Sequence, residues 1–293
     1  MELTTFRFSP LLTTNYPLMK DFTLHTYSKL LQALKVAGYN FCTFEDWCEG
    51  KAINGYVILR HDIDNKPQHA LRFAKVEAEL RIRATYYFRT SKNILCPTVI
   101  NEIAALGHEI GYHYRDLVDN NGNVENAIYS FQKNLSALRS MVSVRTISMD
   151  GCPWSKYDNR DLWKTYDYRD FGIIGEPYFD ILDSKLNGNN KIQYFTDTAR
   201  MWNGDRYNVR DKSIINESLP HSTVLPTSSK RVDDEVIHST FDFINHIKTN
   251  PTKENMMITT HPQRWTDNTM EWMIELVTQG LKNKVKQLLI RFR

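Results

Sequence analysis

Four short apolar segments of this sequence each end in a cluster of polar and ionisable side chains. The clusters read "RHDID" at residues 60–64, "YHYRD" at 112–116, "MDGCPW" at 149–154 and "THPQRW" at 260–265. Within the first cluster, Asp62 and Asp64 are separated by one residue. Two carboxylates that close repel each other unless a cation or a shared proton lies between them. The clusters therefore predict a ligand-binding site.

The residue types in these clusters suit hydrolysis assisted by a metal ion. On an extended chain Asp62 and Asp64 point the same way, so one could hold a metal ion while the other takes a proton from water. His113 is a natural imidazole ligand, and His261 is a candidate general acid. A divalent ion lowers the pKa of bound water toward about 7 and polarises a carbonyl group, as amide or ester hydrolysis requires. The Asp-Ile-Asp sequence by itself is equally typical of a strand end followed by a helix cap.

The alternation of strand and helix patterns predicts where these clusters lie. Strands are predicted at residues 56–59, 84–89, 108–114, 144–149, 170–176, 191–197 and 255–260, and helices at 67–82, 97–107, 123–141, 233–247 and 269–292. This order indicates an α/β fold with a parallel sheet covered by helices, either a barrel or an open doubly wound sheet. All four clusters then follow the carboxyl ends of strands, which is the edge where such folds build their sites.

Composition and charge restrict the class of protein. The 293 residues are 41% hydrophobic and carry a formal net charge of +3, so the chain can bury a large core and has no basic tract that would indicate nucleic acid. No signal peptide and no apolar run long enough to span a membrane is recognisable, and the four scattered cysteines suggest reduced thiols. We therefore expect a cytoplasmic protein with a single catalytic-type domain over residues 1–293. It would include an N-terminal elaboration (about 1–50) and an irregular insertion (about 176–232).

One long segment carries a resemblance to a known family. The sequence "VILRHDIDNKPQHALRFAKVEAELRIRATYYFR", followed by "LGHEIGYHY", resembles the polysaccharide deacetylase family, the NodB-homology or carbohydrate esterase family 4 group. The resemblance covers about residues 56–149, and residues 256–261 more loosely. A subgroup associated with surface-polysaccharide (O-antigen) biosynthesis is the more similar. The resemblance implies a distorted, incomplete (β/α) barrel that removes acetyl groups from N- or O-acetylated sugars.

The resemblance also implies roles for residues of the clusters. Asp62 would be the catalytic base and Asp64 a metal ligand. His113 would be the first ligand histidine, and His261 the general acid that protonates the leaving group. The implied cofactor is a divalent metal ion, zinc by preference, with cobalt or nickel as alternatives.

One departure from the family pattern bears on the metal site. The family has a second ligand histidine four residues after the first, and Leu117 stands at that position. Asp150 is then a candidate third ligand, since it lies at the strand end where the family has an Arg-Pro-aromatic motif. An Asp64–His113–Asp150 triad would leave positions open for water and substrate, as a catalytic metal needs. The alternatives are a site without a tightly bound metal and other ligands, Asp116 and His61 among them.

Six further residues are candidate substrate-binding residues. They are Arg60, His61, Tyr112, Trp154, Arg160 and Arg264. Arg264 could bind an anionic group such as a carboxylate or a phosphate. Arg60 could instead only pair with a nearby carboxylate, and the loop that contains Arg160 could instead be the capped start of a helix.

The leading hypothesis is a metal-dependent deacetylase that acts on an acylated sugar or a sugar-containing biosynthetic intermediate. One alternative is a carbohydrate-binding or metal-free protein on the same fold that has lost this activity, which Leu117 favours. The paired Asp62 and Asp64 argue against it, because a binding protein has little reason to retain two crowded acids. Another alternative is metal-free acid–base chemistry, such as an epimerisation that uses His113 and Asp62.

Overall fold

The computed structural model describes residues 20–181, 192–202, 237–250 and 252–291. Residues 1–19 of the predicted N-terminal elaboration and most of the predicted insertion at about 176–232 lie outside these ranges. The extent of a single domain over the whole chain therefore stays a prediction. Within the described ranges, no helix is long and apolar enough to cross a membrane.

The described strands form one parallel sheet. They are β1 (Asn40–Cys42), β2 (Tyr56–Ile63), β3 (Thr85–Phe88), β4 (Glu109–Tyr114), β5 (Ile147–Met149), β6 (Ile192–Thr196) and β7 (Asn255–Thr260). The order across the sheet is β5-β4-β3-β2-β7-β6, and β1 pairs with the amino-terminal part of β2. Every strand pairing is parallel. The carboxyl ends of these strands therefore meet at one edge, as the sequence predicted.

Helices connect the strands and pack against the sheet. They are α1 (Leu24–Val36), α2 (Phe44–Cys48), α3 (Pro67–Glu79), α4 (Pro97–Ala105), α5 (Asp116–Asp119), α6 (Val124–Arg139), α7 (Pro177–Asp180), α8 (Thr240–Thr249) and α9 (Thr269–Arg291), with 3-10 helices at Asn159–Lys164, Tyr168–Phe171, Thr198–Arg200 and Pro262–Arg264. Pro67 and Pro97 each begin a helix, where the missing proline N–H leaves no hydrogen bond unmade. Ser239 and Asp242 form a capping box, so α8 begins at Thr240, whereas the predicted helix over residues 233–247 included residues 237–239.

The sheet curls but does not close. β5 and β6 are its outer strands, and no strand in the described part of the chain joins them. One isolated parallel bridge, between Thr146 and Gly175, lies beside β5. The fold is therefore an incomplete (β/α) barrel of parallel strands with flanking helices, which confirms the predicted fold class.

The prediction of a strand at residues 170–176 is wrong. The chain forms the 3-10 helix Tyr168–Phe171, and Gly172 follows it with a φ of 69°. A glycine adopts this left-handed backbone conformation without the steric cost that a side chain would add, so the chain turns there instead of extending. Gly175 then forms an isolated parallel bridge with Thr146, and the Ile174 N–H donates to the carbonyl oxygen of Arg145.

Alternation along β2 sorts its side chains between the two sides of the sheet. All eight residues of β2 are buried. Arg60 and Asp62 share the inner side, where the Arg60 guanidinium meets the Asp62 carboxylate. His61 faces the helices, where its Nε2 lies 2.7 Å from Glu77 of α3. The polar residues of β2 therefore lie on both sides of the sheet, Arg60 and Asp62 on the inner side and His61 on the helix side.

The same alternation applies along β4. His113 lies on the inner side of the sheet, whereas Tyr112 packs against α6 and its hydroxyl accepts a hydrogen bond from Asn134 at 3.0 Å. Gly111 stands where space is short, because a Cβ there would lie 2.3 Å from Cε1 of Tyr87. This glycine leaves room for the Tyr87 ring of β3 against β4.

Candidate functional site

A cleft of about 620 Å³ opens at the carboxyl-terminal edge of the sheet. Strand ends form its floor, and α9 contributes part of its wall. Its charged and imidazole groups are Asp62, Asp64, Arg89, His113, Arg115, Asp150, His261, Arg264, Lys282 and Lys286. The four strand-end clusters predicted from the sequence therefore all contribute to one cavity.

Asp62 is a buried carboxylate held by a buried guanidinium. Arg60 Nε donates to Asp62 Oδ1 at 2.9 Å, and Arg60 Nη2 donates to Asp62 Oδ2 at 2.7 Å. Burial would raise the pKa of Asp62, but Arg60 and His113 hold it below its ordinary value. Asp62 is therefore ionised at neutral pH. Arg60 itself is fully buried and does not line the cleft, so its position does not fit a substrate contact; it pairs with a carboxylate instead.

Asp64, His113 and Asp150 come together at the floor of the cleft. Each offers one ligand atom, and these atoms lie within 4.8 Å of one another. His113 Nδ1 is 3.0 Å from the carbonyl oxygen of Ser148, to which its N–H donates, so Nε2 faces the cleft. Nε2 lies 3.4 Å from Asp64 Oδ1. These are the three residues of the triad predicted from the sequence.

Arg89 brings a positive charge to two members of this triad. Its Nη2 lies 2.6 Å from Asp64 Oδ1 and 2.5 Å from Asp150 Oδ2. The contact with Asp64 lacks hydrogen-bond geometry, which leaves Asp64 Oδ1 buried without a well-aligned donor among the described residues. A cation is therefore required between these carboxylates, and a guanidinium supplies it here.

The donor set fits a divalent metal ion. Two carboxylates and one imidazole are oxygen and nitrogen ligands of the kind that catalytic zinc, cobalt or nickel takes, with coordination positions left for water and substrate. Burial would lower the pKa of His113, but Asp62, Asp64 and Asp150 raise it above its ordinary value, which shows that the site favours positive charge. A metal ion would replace the contacts that Arg89 makes with the two carboxylates.

His261 is backed by a buried carboxylate from the neighbouring strand end. Its Nδ1 donates to Asp197 Oδ1 at 2.6 Å, and its backbone N–H donates to Asp197 Oδ2 at 2.9 Å. Arg264 Nη1 and Trp265 Nε1 donate to the same carboxylate at 2.8 and 2.7 Å. Burial would raise the pKa of Asp197, but His261 and Arg264 lower it. His261 Nε2 is left facing the cleft, 3.9 Å from Asp64 Oδ2.

Two predicted substrate-binding residues lie on the wrong side of the sheet for that role. His61 is fully buried, with Nδ1 2.7 Å from Thr260 Oγ1 and Nε2 bonded to Glu77. The Tyr112 hydroxyl donates to Asp116 at 2.6 Å, also outside the cleft. His61 and Asp116 are therefore no alternative ligands for a metal in the cleft. The physical reason is strand alternation, which turns every second side chain toward the helices.

The other predicted substrate-binding residues lie at or near the cleft rim. Trp154 lines the cleft and is 54% exposed. Arg264 also lines the cleft while it binds Asp197. Arg160 does not line it; its guanidinium pairs with Asp158, which also caps the 3-10 helix that follows. The capped-helix reading of that loop is the one that the structure supports.

Several functional candidates escaped the sequence-based reasoning. Arg89 directly follows β3, and Asp197 directly follows β6. Both residues follow the carboxyl end of a strand, as the four clusters do. Their positions in the sequence could therefore have identified them as candidates. Lys282 and Lys286 come from α9, and nothing in the local sequence predicts that this helix borders the cleft.

The comparisons with known proteins find similarity in structure and none in sequence. The sequence matches no protein-family model, and no curated protein has a detectably similar sequence. Among solved structures, the chain is similar to a CE4 esterase from Streptococcus mutans, with 15% sequence identity and a TM-score of 0.40 over 82% of this chain and 90% of that chain.

Proposed function

We propose that this protein is a metal-dependent hydrolase of the deacetylase type, which removes an acetyl group from an N- or O-acetylated sugar. The observation that carries the proposal is the content of a single cleft: an ionised carboxylate, three candidate metal ligands and a carboxylate-backed imidazole. Hydrolysis of an acyl group needs a base for water, an electrophile for the carbonyl and an acid for the leaving group. The cleft has a candidate for each.

Asp62 is the candidate general base. Arg60 keeps its carboxylate ionised and fixes its orientation through two hydrogen bonds. Because Asp62 lines the cleft, it can accept a proton from a water molecule that attacks the acyl carbon. A carboxylate held in this way is preorganised, so no side-chain rotation is needed before the proton moves.

Asp64, His113 and Asp150 are the candidate metal ligands. A divalent ion bound there would polarise the acyl carbonyl and acidify a water molecule. Ser148 fixes the His113 ring through Nδ1, so that Nε2 presents its lone pair to the cleft. The resemblance to polysaccharide deacetylases supports zinc, with cobalt or nickel as alternatives.

His261 is the candidate general acid. Asp197 accepts the Nδ1–H, which orients the ring and leaves Nε2 facing the cleft. Nε2 can then deliver a proton to the sugar amine or alcohol as its bond to the acyl carbon breaks. Asp62 and His261 come from the ends of the neighbouring strands β2 and β7, so they can act on the two sides of one reacting group.

An acylated sugar from surface-polysaccharide biosynthesis, handled in the cytoplasm, is the proposed substrate. The sequence resemblance to the deacetylase family supports it. The exposed Trp154 at the cleft rim supports it as well, since an aromatic ring offers a rigid apolar face with a polar handle for a sugar.

The test is acetate release by the zinc-loaded protein from N-acetylated glucosamine oligomers and from an O-acetylated xylan. We expect Asp62→Asn and His261→Gln each to lower the rate by at least about 100-fold. Asp161→Asn, an exposed carboxylate outside the cleft, is the matched control and should leave the rate unchanged. Sugar binding without any acetate release would instead favour a carbohydrate-binding protein. A rate that Asp62→Asn leaves intact would refute the assignment of the base.

A further inference from the structure

Two lysines of α9 face the cleft. Lys282 and Lys286 lie one helical turn apart and line the cleft together with Gln279, so the spacing of three and four residues puts all three on one face of the helix. Lys284, between them, is exposed and does not line the cleft. The helix geometry therefore places Lys282 and Lys286 on the face of α9 that borders the cleft, and Lys284 on another face.

The other cations of the cleft already have carboxylate partners. Arg89 contacts Asp64 and Asp150, and Arg115 pairs with Asp119 at 2.7 Å. Arg264 Nη1 is bound to Asp197 at 2.8 Å. By contrast, neither Lys282 nor Lys286 forms an ion pair with any residue in the described ranges. The α9 wall of the cleft thus carries positive charge that no carboxylate among the described residues pairs with.

Side-chain contacts hold α9 in this position. Asn283 is buried between the two lysines, and its Nδ2 donates to the carbonyl oxygen of Ala199 at 3.0 Å. Arg200 Nη1 donates to the carbonyl oxygen of Trp272 at 3.0 Å. Both contacts join α9 to the segment that follows β6. The lysines are therefore part of a fixed wall and not of a loose chain end.

The crowding of these cations has an electrostatic cost. Burial, together with the nearby charges of Arg264 and Lys282, lowers the pKa of Lys286 to about 8 against the opposing effect of Asp64. Like charges gathered in a partly buried cleft repel one another unless an anion joins them. A bound anion would relieve that cost and gain charge-assisted hydrogen bonds.

We propose that Lys282, Lys286 and Arg264 form a subsite for an anionic group, a phosphate or a carboxylate, on the substrate. This inference rests on the proposed function, because it makes the acylated sugar an anionic one: a sugar phosphate or a uronic acid. The subsite lies in the same cleft as the reacting groups, so it would hold the charged end of the substrate while the acyl group reaches Asp62 and His261. Arg264, which also binds Asp197, would link substrate binding to the general acid.

Calorimetric titration of the purified protein with inorganic phosphate, sodium glucuronate and glucose tests the subsite. We expect one of the two anions to bind and glucose, the neutral probe, to bind far more weakly. Lys282→Met and Lys286→Met should each weaken anion binding by about tenfold, since a hydrogen bond to a charged group contributes about 1.5 kcal/mol or more. Lys284→Met, on the same helix but outside the cleft, is the matched control and should bind like the wild type.

The outcomes distinguish a phosphate from a carboxylate on the substrate. They also test the anion subsite separately from the hydrolase assignment. Binding of phosphate alone identifies a sugar phosphate, and binding of glucuronate alone identifies a uronic acid. Asp62→Asn should lose hydrolysis and keep anion binding. Anion binding therefore tests the subsite independently of the hydrolase assignment. If neither anion binds, or if the Lys282→Met/Lys286→Met double variant binds as tightly as Lys284→Met, the subsite does not exist.

Discussion

Replacement of Arg60 by methionine tests whether this guanidinium keeps Asp62 ionised. Arg60 is completely buried and Asp62 is 4% exposed, and two hydrogen bonds of 2.9 and 2.7 Å join them. Methionine keeps much of the volume and removes the charge. The Asp62 carboxylate is then left in a buried position without its main counter-ion.

The expected cost follows from that burial. Removal of one partner from a buried ion pair lowers the free energy of unfolding by about 3–5 kcal/mol, because an uncompensated charge remains inside. In the wild type, Arg60 holds the pKa of Asp62 below its ordinary value, so this pair stabilises the fold above the unfolded pKa of about 4, and the stabilisation is lost as the pH falls through the folded pKa. In Arg60→Met, burial dominates and raises the pKa of Asp62. The variant therefore loses stability as the pH rises above about 4, and the deficit is larger at pH 8 than at pH 5.

Urea unfolding at pH 5 and pH 8 measures both effects. Arg160→Met is the matched control, because Arg160 pairs with Asp158 two residues away by the same two-bond geometry, but with 34% of its side chain exposed. That change should cost less than about 1 kcal/mol at either pH. The double variant Arg60→Met/Asp62→Asn, which carries no buried charge at this pair, should recover most of the stability lost at pH 8.

Three results would refute this reasoning. The first is an Arg60→Met variant no less stable than Arg160→Met. The second is a stability deficit equal at pH 5 and pH 8. The third is a double variant that recovers nothing, which would mean that the Arg60 side chain stabilises the fold by packing and not by its charge.

Three further predictions concern the general acid and the core below the site. Asp197→Asn should lower kcat by at least about 100-fold with little change in KM, because the His261 ring loses the carboxylate that orients it; an unchanged kcat contradicts this role. Burial raises the pKa of Glu109 to about 7, so the fold holds a proton that the unfolded chain releases above about pH 4.5, and wild-type stability should fall by up to roughly 3 kcal/mol between pH 5 and pH 8. Glu109→Gln should reduce that slope in urea unfolding, and an unaltered slope contradicts the raised pKa. Gly111→Ala should lower the free energy of unfolding by roughly 1–3 kcal/mol, because its Cβ would lie 2.3 Å from the Tyr87 ring; a thermal midpoint equal to wild type contradicts the crowding.

The strand-end clusters made the location of the site predictable. Asp62, Asp64, His113, Asp150 and His261 belong to the polar clusters that end apolar runs, and the structure places all five in one cleft. Parallel strands explain this success, because their carboxyl ends meet at one edge whatever the details of the loops. The roles assigned to these residues remain proposals.

Side-chain direction was less predictable, although part of the signal was available. Arg60 and Asp62 are two residues apart in a strand, so they share a face, and the sequence contained that information. His61 and Tyr112 fall on the opposite face for the same reason. Polarity alone suggested a place in the cleft, but buried hydrogen-bond partners on the helix side satisfy both residues.

Contacts between distant segments could not be read from the sequence. Asp197 and His261 are 64 residues apart and meet because β6 and β7 are neighbours in the sheet. Lys282 and Lys286 reach the cleft because Asn283 and Trp272 attach α9 to the chain after β6. Such contacts depend on strand order and helix packing, which a periodic pattern does not specify.

Zinc binding is the measurement that tests the central claim most directly. Competition with a chromophoric chelator should give one zinc ion per wild-type chain. His113→Gln and Asp150→Asn should each weaken zinc binding by at least about tenfold, while the exposed control Asp161→Asn binds as the wild type does. A wild-type protein that binds no zinc, cobalt or nickel, or one whose zinc affinity is unaffected by His113→Gln and Asp150→Asn, would contradict a metal-dependent hydrolase built on Asp64, His113 and Asp150.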